Sequence, residues 1–174
     1  MNAPQVTTGT MSCSGSLPEA EVPMINTIVT CLGSEDRKLN YTTVQLAFAA
    51  TRLASDPGAV RANQRALRVW EEIRHDLWSH LQIEEELVFA WGEAHDAIPR
   101  DLLDTLKNER QEMGKLMAAL HGLWSAGLER EPQKIADGGG FAQTLLALAR
   151  TLDSHVERYD GEVLPSILRA LFHK

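Results

Sequence analysis

Apolar residues recur every three or four positions along four long stretches of the chain, and alternating β-branched runs are scarce. This periodicity predicts helices. The first stretch runs from about Pro18 to Ala54, with the inward stripe Leu32, Asp36, Leu39, Thr43, Leu46, Ala50, Leu53. Gly33-Ser34 predicts a break or kink there, where Ser34 could cap a new start. Ser55-Asp56-Pro57 supplies a cap and a first-turn proline for a second helix, which reads to about His95. Its stripe is Ala66, Trp70, Ile73, Leu77, His80, Glu84, Leu87, Trp91. Pro99 opens a third helix, to about Glu129, with Leu103, Leu106, Arg110, Met113, Met117, Leu120 and Trp124 inward. The loop Gly138-Gly139-Gly140 precedes the fourth, whose face is Leu145, Leu148, Leu152, His155, Tyr159, Val163, Ile167. Long helices with short connections pack as antiparallel neighbours, so the expected fold is all-α: an antiparallel up-down four-helix bundle.

At 174 residues, 44% hydrophobic and 24% charged, the chain fits one globular domain. Residues 1–20 read as a polar arm and 21–174 as the bundle. A net charge of −7 and a pI near 5.3 argue against nucleic acid as the main partner. No apolar run approaches the ~20 residues that span a bilayer. The N-terminal stretch has neither the basic nor the apolar region of a secretory signal. Cys13 and Cys31 form no spaced cluster. A cytoplasmic location is expected, and a homodimer is allowed.

The two halves of the chain echo each other. Ser34 to Leu39 parallels Asn108 to Met113, and His80 to Phe89 parallels His155 to Leu164. The separation from Asp36 to His80 differs by one residue from that between Arg110 and His155. Two helical hairpins of one design are implied. Each stripe carries a polar residue among apolar ones, which is costly unless that group is paired or bound. Counting helical rises places Asp36, His80, Arg110 and His155 at similar depth, and bundles build metal sites from such convergence. His80 and Glu84, four apart, share one face, and imidazole with carboxylate suits Fe, Mn or Zn.

These runs, His80 to Phe89 and His155 to Pro165, resemble the two halves of a hemerythrin-like, HHE cation-binding domain. The resemblance covers roughly residues 22 to 170. It implies an up-down four-helix bundle around a non-haem iron centre of one or two ions, and O2 or NO binding, sensing or iron handling as activities. His80 and Glu84 match the family's first ligand pair, and His155 its second histidine. Tyr159 stands where the family has glutamate, and Asp160 follows the five-residue spacing of the oxygen carriers. Asp36 and Arg110 stand where the family has its two lone histidines. Aspartate can ligate; arginine has no lone pair to offer.

Two outcomes follow. In one, His80, Glu84, His155, Asp160 and Asp36, joined by Glu109, hold one or two metals in a depleted shell. In the other the relative is metal-free, an interaction or regulatory bundle in which Arg110 replaces the cation, neutralised by Asp36, Glu84 and Asp160. A ferritin-like di-iron enzyme would place glutamate three residues before each histidine, where Leu77 and Leu152 stand; that argues against an enzyme. His75 and His95 fall off the stripe and read as surface residues, and His121 as a core-edge one.

Overall fold

The computed structural model describes residues 21–128 and 137–172; of the helical residues, the side chains of 21–29, 31–38 and 127–128 are not among those described. The arm 1–20 lies outside the described residues, as does the side chain of Asp36. The described chain forms helices and their connections, with no strand among them: α1 (Glu21–Ser55), α2 (Val60–Ile83), α3 (Ala90–Ala94), α4 (Arg100–Leu128), α5 (Gly138–Arg158) and α6 (Leu164–Phe172). A π-helical turn, Glu84–Phe89, joins α2 to α3, and another, Tyr159–Val163, joins α5 to α6. Four long rods result, consistent with a bundle. α1 packs on α2 and α5, and α5 on α4, while α2 touches α4 more sparsely. No helix in the described residues is long and apolar enough to cross a membrane.

The helix ends follow from local chemistry. α1 continues through Gly33-Ser34, so of the expected break or kink there the break is absent. Its hydrogen-bonded ladder carries one glycine at a cost near 1 kcal/mol, which packing of a 35-residue helix easily outweighs. α2 begins three residues beyond Pro57, behind Ala59, which makes no side-chain cap. Buried Asn63 reaches back instead, its Nδ2 donating to the Pro57 and Ala59 carbonyls at 2.9 and 3.0 Å. At the end of α3 the chain makes a Schellman turn. The Ala97 N–H donates to the Gly92 carbonyl and the Asp96 N–H to that of Glu93, with Asp96 left-handed at φ 48°. A Cβ on Gly92 would lie 2.6 Å from Ile98 Cδ1, so the turn folds back only over glycine. Gly138 to Gly140 lie inside the first turn of α5, capped by Asp137, which accepts from the Gly140 N–H at 2.9 Å.

The expected stripes are largely the buried ones. Leu39, Thr43, Leu46, Ala50 and Leu53 are buried on α1, and all seven stripe residues from Leu145 to Ile167 are buried along α5 to α6. Leu87 departs furthest, at 40% exposed, while Arg110 and Trp124 on α4 are half-buried. The π turn holds more residues per turn than an α-helix, which rotates the following side chains. Val88 and Phe89 take the inward positions and Leu87 turns out. Two apolar clusters form the core. One gathers Leu46, Leu53, Trp70, Leu77, Leu81, Met113, Phe141 and Leu152, among others. The other gathers Phe89, Trp91, Ile98, Leu106, Tyr159 and Val163. Of the buried polar residues, Glu84 falls in sequence between the two clusters, and His80 and His155 lie at the end of the first, between Leu77 and Leu81 and between Leu152 and Val156.

Candidate metal centre

His80 lies in the last turn of α2, and Glu84 opens the π turn after it. Four residues of helix bring both side chains to one face. His155 comes from the last turn of α5. All three are sequestered: Glu84 is 0%, His155 1% and His80 3% exposed. Each offers one ligand atom, and those atoms lie within 4.8 Å of one another. The chain turns π-helical at Glu84 in one segment and four residues beyond His155, at Tyr159, in the other. Such turns recur at functional sites, and here each half of the repeat carries one.

His155 is gripped from both sides of its ring. Nε2 lies 3.0 and 3.2 Å from the two Glu84 carboxylate oxygens, and Nδ1 3.3 Å from Oε2 of Glu109. In this state the ring donates from both nitrogens, as an imidazolium between two carboxylates. Burial pulls its pKa down. The Glu84 charge and the hydrogen bonds to Glu109 and Glu84 outweigh that, and raise it to about 9. Glu109 pairs in turn with Arg158 and accepts from the Ser154 hydroxyl at 3.5 Å. Burial pushes the Glu109 carboxyl up, but His155 and Arg158 together hold it below the usual carboxylate range. Arg158 Nε lies 3.9 Å from exposed Glu162, so the chain of charges runs from the buried centre to solvent.

The sequence-predicted residues divide accordingly. His80, Glu84 and His155 come together. Glu109 stands behind His155, on the ring nitrogen that faces away from Glu84. Asp160 is exposed and outside the cluster. Five α-helical residues from His155 correspond to about 140° of rotation, while Tyr159, four residues on, is buried. Arg110, expected inward in the metal-free outcome, is only half-buried. Its guanidinium pairs with Glu85, and its Nε donates to the Leu81 carbonyl at 3.2 Å. Glu85 lies one residue round from Glu84, on the outer face, where a guanidinium keeps its hydration. The positive charge facing Glu84 belongs to His155, not to Arg110. Arg158 and Ser154 were not anticipated. Their signal was spacing alone: Ser154, Arg158 and Glu162 follow one another at four-residue intervals on one helix face.

Two imidazoles and a carboxylate, buried together, fit a borderline divalent transition metal. A fully buried carboxylate requires a neutralising charge, and the site offers two ways to supply it: the proton on His155 or a cation in its place. With a metal on Nε2, Nδ1–H still donates to Glu109, the arrangement that fixes tautomer and ring orientation in metal-bound histidines.

A family model, described as the hemerythrin HHE cation binding domain, matches residues 40–167. No curated protein and no solved structure matches the chain.

Proposed function

The chain belongs to the hemerythrin HHE cation-binding family, and on that premise we propose that it holds a single non-haem iron ion on His80, Glu84 and His155. The helices are read as up-down and antiparallel, the setting as cytoplasmic. The observation that carries the reading is the convergence of three buried donors, within 4.8 Å, from two rods of the bundle. Two histidines with one carboxylate are the donor set of non-haem Fe(II) sites that keep open positions. Bound iron would supply a redox-active centre with room for a further ligand. Burial of all three donors restricts that ligand to a small molecule and favours O2 or NO binding over iron handling, which needs an exposed route for the ion. The protein's own groups set the site's charge and shape: Glu109 orients His155, Arg158 and Ser154 hold Glu109, and the flanking apolar clusters exclude water.

A second reading, a metal-free interaction bundle, is favoured by one observation. The imidazolium of His155 already satisfies Glu84 and Glu109 without an ion. Metal analysis of protein purified without chelator separates the two. The first reading expects close to one iron per chain, lost in Glu84→Gln with the helical circular dichroism intact. A folded parent that stays metal-free after anaerobic Fe(II) titration would establish the second.

A further inference from the structure

A groove of about 760 Å³ lies between α1 and α2, next to the turn that joins them. Each helix lines it with one row: Gln45, Phe48 and Arg52 from α1, and Arg61, Arg65 and Arg68 from α2. The spacings i, i+3, i+7 and i, i+4, i+7 keep each row on a single helix face. Arg65 ties the rows together: Nη2 donates to Gln45 Oε1 at 3.3 Å, and the guanidinium lies 4.8 Å over the Phe48 ring. Neither contact neutralises its charge. The ion pairs of the described residues engage Lys107, Arg110, Lys115, His155 and Arg158, and none of these four arginines. All four are exposed, so a ligand can reach them. The acidic lining residues stand at opposite ends by their place in the chain, Asp56 at the connecting turn and Glu72 one turn beyond Arg68. Four cations against two carboxylates leave +2 in a chain of net charge −7. Like charges on successive turns repel, and a cleft lined by one sign of charge focuses its field, so this groove gains by taking up an anion.

We propose that this groove binds a small polyphosphate anion, bare or carried on an organic body. Each guanidinium presents a planar fork that takes two phosphate oxygens. Arg61 and Arg68 are separated by roughly 10 Å of helix, so a single phosphate or carboxylate cannot engage the row, whereas linked phosphates can. Phe48, 48% exposed beside Arg65, offers an aromatic wall for an organic body. A neutral or cationic ligand would leave the arginine charges uncompensated. Arg68 precedes His80 by twelve residues, roughly 18 Å of helix, so the groove is separate from the metal centre and does not depend on its occupancy.

The test is calorimetric titration of the full-length chain in magnesium-free buffer at about 0.15 M salt, where distant surface charges are screened. The probes are ATP, inorganic tripolyphosphate, adenosine and a glutamate heptapeptide. Saturable one-to-one binding is expected for ATP and tripolyphosphate, roughly a hundredfold or more tighter than for adenosine, which has no charge to pair. Comparing ATP with tripolyphosphate separates an organic ligand from the bare chain, and recognition of the phosphates stands in either case. Arg65→Gln and Arg68→Gln, on exposed positions that leave the helical circular dichroism intact, should each weaken tripolyphosphate about tenfold. Arg100→Gln, which opens α4 beyond the other end of α2, should leave it unchanged. An equal loss in Arg100→Gln would mean that net charge alone attracts the anion, and would overturn the proposal. So would the absence of saturable binding, adenosine as tight as ATP, or the heptapeptide as tight as tripolyphosphate, the last marking a surface for acidic peptides instead.

Discussion

Metal binding at the centre has to displace a proton, and the structure sets the size of that competition. In the metal-free chain His155 keeps its proton up to about pH 9. A metal needs the Nε2 lone pair, which is protonated at neutral pH. At pH 7 the ring is two units below its pKa, so removing the proton costs about 3 kcal/mol, roughly a hundredfold in affinity. Apparent affinity should therefore rise about tenfold per pH unit from pH 6 to 8 and level off above about 9. The stability of the metal-free protein moves the other way. His155 titrates near 6.5 when unfolded and about 9 when folded. Its contribution is complete below the first value and is lost as pH rises through the second. Co(II), followed by its visible absorption, is a suitable redox-stable probe at pH 6, 7 and 8. Calorimetry at pH 7 in two buffers of different ionisation enthalpy would count close to one proton released per ion. Affinity independent of pH, with no proton release, would show that His155 is not where the ion binds.

Replacing Glu109 by Gln keeps an acceptor for His155 Nδ1 and removes its charge. Co(II) affinity should fall by about 10- to 100-fold, and the His155 pKa, followed by NMR titration of the metal-free protein, should drop. Glu84→Gln should bring metal binding below detection, whereas Asp160→Asn, on an exposed side chain, should leave affinity within about twofold. Gly92→Ala forces a methyl into Ile98 and should cost about 1–3 kcal/mol in chemical denaturation, without changing metal stoichiometry. Acid should weaken the metal-free fold as pH falls through the depressed pKa of Glu109, because its pairing with His155 and Arg158 exists only while it is ionised.

The helices were legible because burial of one face enforces a period, and Leu145 through Ile167 keep that period even across a π turn. His80, Glu84 and His155 were legible for a related reason. A polar residue on an otherwise apolar stripe stands out, and its repetition in the second half of the chain marks it as deliberate. What the pattern did not carry was phase. A π turn adds about one residue's rotation with no local signature in composition, so Leu87 was expected inward where Val88 and Phe89 went instead. The place of Asp160 followed the family's spacing rather than helical geometry, and geometry turns it to solvent. Glu109 and Arg110 show a second limit. Adjacent residues lie about 100° apart on a helix, so which of the two faces the centre depends on the partners that neighbouring rods offer. Ser154, His155 and Arg158 draw Glu109 toward α5, while Glu85 and the Leu81 carbonyl draw Arg110 toward α2.

The most direct test is an anomalous-difference map at the iron edge from crystals of protein loaded anaerobically with Fe(II). One peak per chain is expected, bonded to the imidazole nitrogens of His80 and His155 and to a carboxylate oxygen of Glu84, with Glu109 still on His155 Nδ1. Iron found elsewhere in the molecule, or a clear map in which His155 remains between Glu84 and Glu109 with no peak beside it, would contradict the account.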